Sequence, residues 1–248
     1  QTMVNVQVSE SASSASFVAT LSKPAGEAFD ITLSNDTVLH FAKGDVTATG
    51  TFAVQGDDVY QDGEQFTLSV KSVGANSFEQ LDASATATVA VADTTSPVTA
   101  VLSVDSSSVA EGGTLTYTVT LQGPAGLDVS QHDGVTVTLA NGETVTIAAG
   151  QVSGQVPVSV ADDAYTGGQT AITNYIATVS ETAGGNTFES LHAGTQGTTV
   201  TVTDEAAGQG DTVTLTLGNV QVSEGASSAS VVATLSKPAG EAFDITLS

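Results

Sequence analysis

Two pairs of adjacent aspartates, Asp57–Asp58 in "GDDVYQDGEQF" and Asp162–Asp163 in "ADDAYTGGQTA", stand at matched places in a chain of 248 residues. Carboxylates held this close destabilise a fold unless some protonate or a cation lies between them. Further acids recur around both pairs. Glu10, Glu111 and Glu224 each follow a strand-like "VQVS" or "SSVA", Glu64 follows the first pair, and Asp93 and Asp204 close "TVAVAD" and "TVTVTD". The chemistry this suits is calcium binding, because Ca2+ takes six to eight oxygen ligands from carboxylates, carbonyls and water in flexible geometry.

Such acids must be brought together by strands. Strict apolar/polar alternation runs through "FVATLS", "FTLSVKSV", "LTYTVTL", "VTVTLA" and "TTVTVTD", the period of a strand with one buried face. No segment carries a 3.6-residue stripe. Thr and Val fill the strands while Gly, Asn, Asp and Pro punctuate them, which predicts an all-β fold of tandem antiparallel β-sandwiches, immunoglobulin-like in strand number. Seven strands laid along the first unit fall at about 3–8, 16–22, 29–34, 37–42, 50–56, 66–73 and 86–93. If neighbours alternate direction, the ends of the first, third, fifth and seventh emerge at one pole, carrying Glu10, Asp36, Asp57, Asp58, Glu64 and Asp93 with no basic residue among them. In the second unit the same pole holds Glu111, Asp162, Asp163 and Asp204, with Glu205 beside it. There Asn141 or Glu143 replaces Asp36, and Gln169 replaces Glu64.

The chain repeats itself. Residues 219–248 copy residues 5–34 except at Ser11/Gly225 and Phe17/Val231, the mark of a recent duplication. "NSFEQL" at 76–81 answers to "NTFESL" at 186–191, so units of two alternating kinds follow one another. The expected division is 1–94, 95–206 and 207–248, the last being the first strands of a third unit with Glu224 in the place of Glu10. "TTSPVT" (94–99) and "EAAGQGD" (205–211) read as linkers, Pro97 stopping strand continuation. "FEQLDA" and "FESLHA" are expected as turns whose Phe78, Leu81, Phe188 and Leu191 plug the cores. Two or three strands of a third unit leave an open edge that frays or pairs by strand exchange with a neighbour.

Residues 41–70, "FAKGDVTATGTFAVQGDDVYQDGEQFTLSV", resemble the Calx-beta motif. That resemblance implies calcium bound by Glu10, Asp36, Asp57, Asp58, Glu64 and Asp93. The second unit, with "DDxYxGG", "NxFExL" and "VTVTD" in that order, resembles the immunoglobulin-like extender repeats of giant bacterial RTX adhesins. This resemblance implies type I secretion, residence at the surface of a Gram-negative bacterium, and calcium-stiffened tandem domains; the nonapeptide G-G-x-G-x-D of the secretion region is absent from these residues.

Composition narrows the function. Four lysines, no arginine and 27 acids give a net charge of −23, which excludes nucleic acid as a partner because phosphate binding needs Lys and Arg. With 40% hydrophobic and only 12% charged residues the chain folds instead of remaining disordered. No apolar run reaches the roughly 18–20 residues of a membrane span, so no membrane insertion is expected, and there is no cysteine for disulfides or thiolate metal sites. His40, His132 and His192 are scattered and no nucleophile elbow appears, so the chain is not read as an enzyme. Without Trp and with four Tyr it lacks the aromatic platforms of a glycosidase cleft. Tyr60 and Tyr165 are read as loop anchors. The expected function is that of calcium-stabilised extender units of a surface adhesin, with neighbouring repeats as partners; the rivals are a domain that itself grips sugar, ice or protein, and an accessory module of a secreted enzyme. Asp128 and Asp133 are expected to face the first joint.

Overall fold

The structure, a computed structural model, describes residues 1–182, 187–206 and 209–247, and every regular element in it is a strand. Asn186 of the "NTFESL" motif and residues 207–208 of the second linker lie outside the described residues.

In the first unit β1 (Thr2–Met3), β3 (Ser14–Thr20) and β6 (Thr47–Ala53) form one sheet. The facing sheet runs β2 (Val6–Ser9), β8 (Thr86–Ala92), β7 (Glu64–Val73), β4 (Phe29–Leu33) and β5 (Val38–Phe41). Alternation explains the packing. In β3 the residues Ala15, Phe17 and Ala19 turn inward while their neighbours face water, and Phe29 of β4 stacks on Phe41 of β5 with ring centroids 5.2 Å apart.

The second unit comprises β9 (Pro97–Val104), β10 (Ser108–Ala110), β11 (Thr114–Gln122), β12 (Val135–Leu139), β13 (Thr144–Ile147), β14 (Ser153–Ser159), β15 (Ile172–Asn174), β16 (Ile176–Glu181), β17 (Ser190–Ala193) and β18 (Thr198–Thr203). One sheet is β14-β11-β9-β17, and the other face is divided between β13-β12-β16 and β10-β18-β15. The division falls at Tyr175, which separates β15 from β16 and whose carbonyl accepts from Ala140 N, beside a register shift between Thr138 and Leu139.

Three expectations change. Pro97 does not stop a strand but begins β9, a position where a missing N–H is tolerated. "FESLHA" is not a turn: Ser190–Ala193 form β17, parallel to β9 with Ser190 opposite Pro97. Among the described residues, pairing is antiparallel apart from three parallel pairs, β17 with β9, β2 with β8, and β10 with β18.

Residues 211–247 form a hairpin, β19 (Leu215–Leu217) with β20 (Ala233–Leu235). Thr216 faces Thr234 and Leu217 faces Ala233, the register in which their sequence counterparts Thr2, Met3, Ala19 and Thr20 pair in the first unit. Without a second sheet to cover it the hairpin exposes Val213, Leu215, Leu217, Phe243 and Leu247.

Two cores result. Phe17, Phe29, Ile31, Leu39, Phe41, Leu68 and Val89 belong to the first, with Phe78 edge-on against Phe29 at 6.0 Å. The second contains Tyr117, Leu139, Ile147 and Phe188, and it also contains Val59 and Tyr60 from the first unit's Asp-Asp loop. His132 is buried there, accepting from Gly134 N at Nδ1 and therefore donating from Nε2 to the Gln151 carbonyl at 2.8 Å.

Candidate metal centres at the unit ends

The parallel pairing of β2 with β8 decides where Glu10 goes. Ser9 lies opposite Ala92, and the Glu10 amide extends the ladder to the Ala92 carbonyl at 3.0 Å. Glu10, one residue past β2, therefore stands beside Asp93, one past β8. Glu10 is 1% exposed. Its Oε1 accepts from the Thr94 amide at 2.9 Å, while Oε2 has no hydrogen-bond partner. The Thr94 hydroxyl lies 2.6 Å from Asp57 Oδ1 and 3.2 Å from Glu10 Oε1, so its single proton serves the aspartate.

Carboxylate oxygens gather around this glutamate in two overlapping groups. Glu10, Asp93 and Glu189 each place an oxygen within 4.8 Å of the others, and so do Glu10, Asp58 and Asp62. Glu189 belongs to the second unit: its Oε2 accepts from Ser96 N at 2.6 Å and its Oε1 is buried without a partner. Asp58 Oδ1 caps the loop by accepting from Tyr60 N at 2.7 Å, and Asp62 accepts from Gln55 at 2.5 Å. Burial pushes the Glu10 carboxyl up to about 7, and the neighbouring Glu189 adds to this against the Thr94 amide. A buried carboxylate costs several kcal/mol unless it is neutralised or paired; no lysine or arginine is paired with this group among the described residues. An orphan oxygen on the buried Glu10 and another on the half-buried Glu189, aimed among acids, fit a hard divalent cation.

The second unit repeats the arrangement. Ala110 of β10 pairs with Thr203 of β18, and Glu111 N bonds the Thr203 carbonyl at 2.9 Å. Glu111 is 5% exposed; Oε2 accepts from Asp163 N at 3.3 Å and Oε1 has no partner. Glu111, Asp162 and Glu205 place oxygens within 4.8 Å of one another, and Glu205 Oε2 is likewise unpartnered. Asp163 Oδ1 caps its loop through Tyr165 N, and Asp204 Oδ2 accepts from Gly167 N, both at 2.8 Å. The glycines of these loops are required by close approach. A Cβ on Gly63 would stand 2.7 Å from Asp93 Oδ1, and one on Gly168 would overlap the Val202 carbonyl.

Several residues singled out by the sequence lie elsewhere. Asp36 does not reach the pole, and the expectation of strand ends free of basic residues fails there: Lys71 Nζ bonds Asp36 Oδ1 at 2.5 Å. The cause is strand length. β4 meets β7 at Leu33 opposite Val70, whereas β7 runs back from Val70 to Glu64, which faces Val91, so the β4–β5 turn stops roughly 20 Å short at about 3.3 Å per residue. Glu64 is exposed on β7 and outside the acid groups, Asn141 caps its own turn through Glu143 N, and Glu224 is exposed in the hairpin segment. Asp128 accepts from Ser130 and Gln131 of its own loop, and its hydrogen bond from Ser130 holds its carboxyl below the usual range. The acid that the second unit brings to the Glu10 group is Glu189. The signal for it was present, since Glu189 in "NTFESL" repeats Glu79 in "NSFEQL", and so was the Asp62 of "DDVYQD".

Solved structures resemble the chain only loosely. The crystal structure of CBD12 from CALX1.2 aligns at 11% identity over 83% of this chain and all of that one, with a TM-score of 0.32. The calcium binding domain CBD12 of CALX1.1 aligns at 11% over 81% and 98%, TM-score 0.33. A protein of unknown function from Porphyromonas gingivalis W83 aligns at 12% over 82% and 96%, TM-score 0.18. No curated protein matches the sequence. A family profile does match, twice, each time over one sandwich with its buried glutamate: with residues 2–94 and 97–205 both matched by the LapA domain, the chain belongs to the LapA domain family.

Proposed function

We propose that the chain is a pair of calcium-stabilised extender units of a large cell-surface adhesin, with the start of a third, and that it holds a distant binding module away from a Gram-negative cell. The observation that carries this is the orphan carboxylate oxygen on Glu10 and on Glu111, each buried among acids and, among the described residues, in ion-pair contact with no lysine. The LapA domains support the adhesin, and the near-copy of residues 5–34 at 219–248 supports a spacer, because repeated length is what a spacer needs.

Calcium at roughly millimolar extracellular concentration suffices for sites of extracellular-module affinity. A cation held by Glu10, Asp93 and Glu189 ties the first unit's strand ends to the second unit, and one held by Glu10, Asp58 and Asp62 fixes the Asp-Asp loop beside it. Where calcium is scarce the same acids repel, which keeps the chain loose for export by a type I route. Thermal unfolding with excess calcium, with EGTA, and with magnesium as control tests the reading: a melting temperature raised by calcium alone supports it, and equal midpoints overturn it.

A further inference from the structure

The first joint is made by an aromatic lock. The first unit's loop after Asp57–Asp58 crosses into the second unit, where Tyr60 stacks on Phe188 with centroids 5.1 Å apart and planes at 24°. Backbone bonds hold it like a short added strand: Glu189 N to the Val59 carbonyl at 2.8 Å and Gln61 N to the Thr187 carbonyl at 2.9 Å. The Tyr60 hydroxyl accepts from Gln131 N at 2.8 Å. Lock and seat both recur in the sequence: Tyr165 of "ADDAYTGG" is the counterpart of Tyr60, and Ser77-Phe78-Glu79 of "NSFEQL" are the counterparts of Thr187-Phe188-Glu189.

Each recurrence is incomplete in this chain. Tyr165 is 43% exposed, and residues 211–248 repeat the first unit only as far as Ser34, so they supply no counterpart of Phe78. In the first unit Phe78 is only partly buried and Glu79 is exposed, outside any strand, beside a cavity of about 250 Å³ lined by Leu21, Lys23, Phe78, Gln80, Leu81 and Asp82.

A second contact fixes their relationship. In the first unit the turn Pro24–Gly26 runs against Ser77: a Cβ on Gly26 would overlap the Ser77 hydroxyl. The same turn in the hairpin segment, Pro238–Gly240, runs against Tyr165, whose hydroxyl donates to the Pro238 carbonyl at 2.9 Å and whose ring lies 2.9 Å from where a Gly240 Cβ would be. Tyr165 thus already stands at the turn that borders a Ser77-Phe78-Glu79 segment in a complete unit of the first kind.

From this we infer that the Phe78–Glu79 end of a first-kind unit is a docking seat, and that its occupant is the Asp-Asp-x-Tyr loop of the second-kind unit ahead of it, represented here by Asp162–Gly168. Tyr165 stacks on the Phe78 position, and Glu79 is carried to the Glu111, Asp162 and Glu205 group as Glu189 is carried to Glu10. The inference takes its neighbour from the tandem-spacer reading but does not depend on calcium.

The test lengthens the chain in register, adding residues 35–206 after Ser248 so that the third unit is complete. In it, Tyr165→Ala and Phe78→Ala in the second copy of Phe78 are combined in a double-mutant cycle read by urea unfolding, with and without EGTA. The expected coupling is tenfold or more in the unfolding equilibrium, like that of the Tyr60→Ala and Phe188→Ala cycle, while Tyr165→Ala with the first copy of Phe78 is additive. Additivity of the second-copy pair, where Tyr60 and Phe188 couple, overturns the seat. Hydroxyl-radical footprinting serves where a Phe78 variant fails to fold: with the second copy of Tyr165 in the added residues changed to Phe, Tyr165 is expected to oxidise at least threefold more slowly in the lengthened chain than in the 248-residue chain, and an unchanged rate overturns the proposal. Failure of the calcium reading shows separately, as a melting temperature indifferent to EGTA.

Discussion

Tyr60 and Phe188, on different units, are stacked and both 2% exposed. The loop that carries the first unit's acid pair is therefore also part of the second unit's core, so cation site and joint share one piece of backbone.

Tyr60→Ala leaves a cavity beneath Phe188, and the second unit is expected to lose about 3–5 kcal/mol. Tyr60→Phe keeps the ring and removes only the acceptor for Gln131 N, a loss of about 1–3 kcal/mol. Urea titration of both variants checks the order; equal losses would mean the stack contributes nothing.

Glu10→Gln removes a charge that has no base beside it. It is expected to raise the melting temperature in EGTA and to reduce the stabilisation by calcium, so the variant crosses the parent between the two conditions. Calorimetry in each buffer measures this, and a variant less stable in both would count against a cation site.

In EGTA the folded-state carboxyl of Glu10 titrates near 7, above the ordinary value of 4.5. The folded chain then binds a proton before the unfolded one does. Stability in EGTA should rise as pH falls from about 8 towards 5, and Glu10→Gln should flatten that slope. With calcium present the proton competes with the cation, so the calcium increment should shrink over the same range.

Glu189→Gln alters the first joint's acid group from the second unit's side. Small-angle scattering in calcium is expected to show a broader range of inter-unit geometries than the parent, while Glu205→Gln leaves the first joint unchanged. Identical profiles for the parent and Glu189→Gln would remove Glu189 from the site.

Asp36→Asn breaks an exposed pair with Lys71, worth less than about 1 kcal/mol. Its calcium response is expected to equal the parent's, in contrast to Asp58→Asn, and isothermal titration with calcium distinguishes them.

Local sequence dictates most of the strands and most of the acids, although β17 reads as a turn and Asp62 and Glu189 were not singled out. Period-two alternation fixes which face of β3 or β11 is apolar wherever the strand lies, and two matched loops and two glutamates after short strands are readable without coordinates. Which acids meet depends on register and strand length, which are non-local. The parallel ladder of β2 on β8 places Glu10 beside Asp93, the early end of β4 leaves Asp36 with Lys71, and the passage of Val59 and Tyr60 into the second core carries Glu189 to the first unit's site. Each of these pairings joins residues far apart in the chain, and only packing, which buries one glutamate and exposes another of the same type, decides between them.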